Sequence, residues 1–68
     1  MRVRTYEAVL ARPETIQRAR AHQRAIERLG GVIEISPPSA TGMTLVRLTL
    51  PEPSAPEDVL PGLPFFPA

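Results

Sequence analysis

Apolar and polar residues alternate along residues 2–11, and this period of two predicts a β-strand. One side of the strand carries Tyr6 and Leu10. The opposite side carries Val3 and Val9, so it is not purely polar. We therefore expect both faces of this strand to contact other groups.

A helix is predicted over residues 13–29. Pro13 suits the first helical position, where a backbone N–H has no partner within the helix, and Gly30-Gly31 is typical of a helix end. A helical wheel separates a mainly apolar half from a half rich in arginine. The mainly apolar half comprises Ala19, His22, Gln23, Ala25, Ile26 and Leu29.

Two further strands are predicted on either side of a proline-containing loop at residues 36–42. Apolar and polar residues alternate in residues 32–35 and again in residues 43–50. Pro51 ends the second strand, because proline has no backbone N–H to donate to a neighbouring strand. These two strands are expected to pair as an antiparallel hairpin. Their apolar faces comprise Ile33 and Ile35, and Val46, Leu48 and Leu50.

The predicted order of strand, helix, strand and strand places the chain in the α+β class. It corresponds to the first half of a ferredoxin-like β-α-β-β-α-β unit, with one helix on a three-stranded, mostly antiparallel sheet. One helix covers one sheet face only. The other face is expected to expose Tyr6, Leu10, Met43 and Leu45, and exposed apolar surface is typical of an interface. We therefore expect a homo-oligomer.

Residues 51–68 contain six of the nine prolines, so we interpret the chain as a domain over residues 1–50 followed by a proline-rich tail. Both phenylalanines lie in the tail, whereas a purely solvated linker has few aromatic residues. The tail is expected to dock on its own sheet, on a neighbouring subunit or on a different protein. The candidate partner-binding residues are Leu60, Leu63, Phe65 and Phe66.

The net charge is +1, but residues 1–50 carry eight arginines and four glutamates, whereas residues 51–68 carry three acids and no base. Arg20, Arg24 and Arg28 recur every four residues and form one ridge on the helix. This arginine ridge is interpreted either as a solvated face or as a binding surface for the phosphates of RNA, DNA or a nucleotide. The near-zero net charge and the lack of an aromatic-rich strand make nucleic acid the less favoured partner.

With 68 residues, no cysteine and one histidine, the chain has no disulfide, no cysteine nucleophile and no multi-histidine metal centre. No catalytic residue, metal or cofactor is assigned, because neither paired carboxylates nor a Ser-His-Asp arrangement is evident. The chain also lacks a secretory signal pattern and an apolar run of membrane-spanning length. We therefore expect a cytoplasmic protein without a membrane partner.

Three functions remain open at this stage. The first is a non-enzymatic, homo-oligomeric interaction or regulatory module, and the second is a phosphate or nucleic-acid binder that uses the arginine ridge. The third is a small-molecule enzyme with a site at a subunit interface that includes His22, Tyr6 and an arginine. For His22 the alternatives are a packed side chain bonded to backbone or carboxylate, an acid–base group or pH switch, and a metal ligand.

Overall fold

A computed structural model describes residues 2–68 and confirms a small α+β domain. The four strands form one sheet in the order β2-β3-β1-β4, and every neighbouring pair is antiparallel. The elements in chain order are β1 (Val3–Leu10), α1 (Pro13–Ala21), α2 (Gln23–Arg28), β2 (Val32–Ile35), β3 (Thr44–Pro51), α3 (Pro56–Val59) and β4 (Phe66–Pro67).

The two long strands, β1 and β3, pair along eight residues at the centre of the sheet. Strand alternation puts every second side chain on the same face. In β3 these are Thr44, Val46, Leu48 and Leu50, and all four are buried. The predicted hairpin is also confirmed, because β2 and β3 pair directly.

The hydrophobic core lies between this sheet face and the helices. Ile26 of α2 and Ala19 of α1 are fully buried against the strands. The chain returns from α2 to β2 through Gly31, where a Cβ atom would lie 2.8 Å from the carbonyl oxygen of Thr49. Only glycine permits this close approach of helix and sheet. The core comprises Ala8, Leu10, Ala19, Ile26, Ile33, Val46, Leu48, Leu50 and Leu60.

The helix predicted over residues 13–29 is interrupted at His22, which has φ −92° and ψ 0°. The His22 ring nitrogen Nδ1 lies 2.9 Å from the carbonyl oxygen of Arg18, which also accepts from the His22 backbone N–H. The backbone bonds across His22 remain, including the one from the Ile26 N–H to the His22 carbonyl oxygen at 3.0 Å, so the interruption is a local change of dihedral angles. A continuous wheel therefore misplaces Ala25 and Leu29, which are exposed rather than buried.

The sheet has four strands, not the three predicted, because the tail supplies β4. Phe66 pairs with Glu7, and the Ala68 N–H donates to the carbonyl oxygen of Thr5 at 3.0 Å. A strand of two residues that contains Pro67 carries no alternation signal. The more specific prediction of half a ferredoxin-like unit is not confirmed.

The composition of the two sheet faces also differs from the prediction. Tyr6 pairs with Leu48 and Leu10 pairs with Thr44, so both lie on the face covered by the helices. The uncovered face instead carries the odd-numbered residues of β1. Of the four residues expected there, Leu45 lies on this face, and Met43 is exposed just before β3.

The tail packs on its own chain through Leu60, which is 1% exposed and belongs to the core. The Asp58 carboxylate accepts from the Ala55 N–H at 2.9 Å and fixes the start of α3. The Arg18 guanidinium donates to the carbonyl oxygen of Pro61. These contacts connect residues 55–61 to both the helices and the sheet.

We predict that Leu60→Ala lowers the free energy of unfolding by about 2–4 kcal/mol, because it leaves a cavity in the core. The matched control is Leu29→Ala, which removes the same atoms from a side chain that is 45% exposed and should cost less than about 1 kcal/mol. Urea denaturation followed by circular dichroism measures both. Equal losses for the two variants would contradict the placement of Leu60 in the core.

Candidate functional site

The uncovered sheet face is the first candidate surface, and we call it the open face. Its side chains project from all four strands, opposite the helices. Large apolar side chains exposed on one face are typical of an interaction surface; here they lie on either side of polar strand residues. The large apolar residues exposed on the open face are Val3, Val9, Val32, Leu45 and Phe66.

A polar row crosses the middle of the open face. Glu34, Arg47, Glu7 and Phe66 lie in register on four successive strands. The Arg47 guanidinium contacts the Glu7 carboxylate through Nη2 at 2.9 Å and through Nε at 3.1 Å. The row therefore presents alternating negative, positive and negative charges between apolar residues.

The exposed surface is slightly larger than the mass of the chain predicts. The chain exposes 4639 Å², whereas a folded monomer of 7.4 kDa is expected to expose about 4,200 Å². The fold therefore buries less surface than a typical monomer of its length.

The arginine ridge is the second candidate surface. Arg20, Arg24 and Arg28 are all exposed on the helices. Among residues 2–68, no carboxylate lies within salt-bridge distance of these three guanidinium groups. Glu27, which lies beside the ridge in sequence, accepts from the Gln23 amide at 3.4 Å. The ridge is thus an uncompensated positive surface.

A cleft of about 300 Å³ is the third candidate. It lies between β1 and the turn that follows β3. Arg4 Nε is 2.8 Å from Glu52 Oε1 inside this cleft. The side-chain hydroxyls of Tyr6 and Ser54 make no hydrogen bond with any residue in the described part of the chain. The lining residues are Arg4, Tyr6, Glu52, Pro53, Ser54 and Ala55.

A second cleft, of about 290 Å³, lies between the start of α1 and the loop that joins β2 to β3. Its walls are mainly apolar, and Arg20 of the ridge reaches its edge. The lining residues are Ala11, Pro13, Ile16, Gln17, Arg20, Pro38, Gly42 and Thr44.

His22 is a half-buried side chain bonded to the backbone. A carbonyl oxygen only accepts, so the contact with the Arg18 carbonyl requires the hydrogen on Nδ1 and leaves Nε2 as an acceptor. Tyr6 lines the first cleft, and His22 lines neither of the two clefts. Within residues 2–68, no group of three histidine, aspartate or glutamate side chains is arranged to hold a metal ion.

The four tail residues predicted to bind a partner have different environments. Leu60 is buried, and Leu63 and Phe65 are partly buried against the core of the same chain. Phe66 is 51% exposed and lies on the open face. Phe66 is therefore the one of the four whose side chain is mainly available to a partner.

Sequence reasoning missed the pairs Arg4–Glu52 and Arg47–Glu7. Each joins residues more than 35 positions apart, and only the register of β1 with β3 brings them together. A charged residue that alternates with apolar ones is usually a solvated strand position. No local signal in the sequence distinguishes these four residues from other surface charges.

No protein-family model, curated protein or solved structure matches this chain. In the part of the chain that the structure describes, each helix is too short or too polar to cross a lipid bilayer.

We predict that Arg24→Glu changes the free energy of unfolding by no more than about 0.5 kcal/mol, because its side chain is exposed and unpaired. Ile26→Ala, on the buried face of the same helix, should cost about 2–4 kcal/mol. Thermal and urea unfolding of the two variants test this difference. If Arg24→Glu unfolded the protein, the ridge would be part of a structural network.

Proposed function

We propose that the protein is a small, homo-oligomeric interaction module that self-associates through the open face. The observation that carries this proposal is that five large apolar side chains are exposed on one face of a sheet whose other face carries the hydrophobic core. A second copy of the chain is the occupant that the pattern of charges on this face fits best.

The charge pattern of the open face is self-complementary. A two-fold axis between β1 and β3, at the centre of the four-stranded sheet, sets Arg47 of each copy opposite Glu7 of the other. The same axis sets Glu34 opposite Phe66, at the rim, where the carboxylate stays in contact with water. A symmetric dimer uses the same patch on both copies, and this row satisfies that condition.

The available area predicts a weak dimer. Strand spacing and rise give about 350 Å² for one open face, because β2 and β4 are short. Two such faces bury about 700 Å², which is below the size of a standard interface and fits only a weak one. We therefore expect dissociation constants in the micromolar range or weaker, as in a transient or regulated assembly.

The ferredoxin-like analogy also remains a proposal. If α1 and α2 are counted as one interrupted helix, the chain runs β-α-β-β-α-β, which is the element order of that fold. The second helix, α3, has only four residues.

We predict that the wild-type protein shifts from monomer to dimer between about 10 µM and 1 mM. Leu45→Arg should weaken this association at least tenfold, because it puts a charge at the centre of the interface. Leu29→Arg is the matched control, since Leu29 is similarly exposed but lies at the end of α2. Sedimentation velocity measures the dissociation constants.

Circular dichroism of both variants should match the wild-type spectrum, so that a change in association is not a change in folding. A wild-type protein that remains a 7.4 kDa monomer throughout this range would contradict the proposal. Equal weakening by the two arginine variants would contradict the choice of the open face.

A second candidate function is the binding of phosphate-bearing ligands along the arginine ridge. The specific observation that favours it is the absence, within residues 2–68, of carboxylates paired with Arg20, Arg24 or Arg28. Arginine binds phosphate oxygens with two parallel N–H groups. A ridge of three such groups along a helix matches the spacing of a charged polymer better than that of a single small anion.

We predict that a labelled single-stranded RNA binds weakly and that salt abolishes this binding. Neutralisation of three phosphates gives a slope of about −2 in log K against log salt. Replacing all three ridge arginines with glutamine should remove the slope, whereas Arg47→Gln on the opposite face should not. Fluorescence anisotropy at several salt concentrations tests this, and a slope unchanged in the triple variant would exclude the ridge.

A further inference from the structure

The cleft lined by Arg4 and Tyr6 is independent of both surfaces discussed above. Even-numbered residues of β1 point to the covered side of the sheet, so Arg4 and Tyr6 project away from the open face. Their partners in the cleft, Glu52 to Ala55, belong to the turn between β3 and α3. A dimer formed through the open face therefore leaves this cleft accessible.

The cleft contains one cation and one anion at contact distance. Arg4 and Glu52 are 2.8 Å apart, and their side chains are 67% and 36% exposed. The contact uses Nε of the guanidinium, and the two Nη groups make no hydrogen bond with residues 2–68. The Glu52 carboxylate would repel a simple anion, and the Arg4 guanidinium would repel a simple cation. A ligand that carries both charges can place each one beside the side chain of opposite charge.

The fold does not depend on this ion pair. Pairs with such exposure contribute little to stability, typically less than about 1 kcal/mol. The backbone bond from the Glu52 N–H to the Arg2 carbonyl oxygen, at 2.9 Å, already fixes the end of the pairing between β1 and β3. The two charged side chains can thus rearrange around a ligand without disrupting the sheet.

The remaining walls are apolar with two hydroxyl groups. Tyr6 is half-buried and packs against the core, which holds its ring in place. Pro53 and Ala55 form the opposite side, and the hydroxyls of Tyr6 and Ser54 lack a partner among the described residues. Small-ligand sites commonly combine apolar walls with a few convergent polar groups, and about 300 Å³ is at the lower end of their size range.

We propose that this cleft binds a small zwitterion, an α-amino acid with an apolar side chain. The ligand carboxylate accepts from the Nη groups of Arg4, and the ligand ammonium donates to the Glu52 carboxylate. The ligand side chain packs against the Tyr6 ring and Pro53. Because the cleft is shallow and its charges are exposed, we expect dissociation constants in the millimolar range.

An NMR titration of the ¹⁵N-labelled full chain with L-phenylalanine tests the proposal. The expected result is saturable shift changes at the backbone amides of Arg4, Tyr6, Glu52 and Ser54. N-acetyl-L-phenylalanine lacks the ammonium group and L-phenylalaninamide lacks the carboxylate. Each should bind about fivefold more weakly, as expected for the loss of one exposed ion pair.

Arg4→Gln and Glu52→Gln should each weaken L-phenylalanine binding by a similar factor, while the amide spectrum keeps its dispersion. Arg24→Gln, which removes the same charge from the ridge, is the control and should bind like the wild type. The proposal is overturned if L-phenylalanine shifts no cleft residue. It is equally overturned if the two analogues bind as well as the amino acid, or if inorganic phosphate gives the same shifts.

Discussion

The pairing of β1 with β3 is the interaction on which every other feature depends. Eight consecutive residues of each strand are in register, and this register decides which side chains enter the core. It sets Tyr6 beside Leu48, and it brings Arg47 to Glu7 and Arg4 to Glu52. A slip of one residue would exchange the two faces of β1 and expose its core residues.

The sequence predicted the long elements well because their signals are local. Alternation identified β1, β2 and β3, and the proline and glycine at the two ends bounded the helical region. Two features were missed. The break at His22 has no proline or glycine to mark it, and β4 forms only where β1 offers it a free edge.

The candidate surfaces were predictable only as far as local sequence signals determine them. A spacing of four on a helix predicted the arginine ridge, and its three side chains are exposed on the two helices. The open face was expected, but half of its residues were assigned to the wrong side, because period-two alternation does not say which side faces the core. The cleft had no local signal in the sequence, because β1 and the turn after β3 come together only when β1 pairs with β3.

The tail explains how so short a chain maintains several surfaces at once. Leu60 fills the core, Phe66 extends the open face, and residues 52–55 form one wall of the cleft. Prolines in this segment restrict the unfolded chain and reduce the entropy lost on ordering. A segment with little regular structure can therefore be held in place by a few side chains. The same segment therefore contributes to the core, the open face and the cleft.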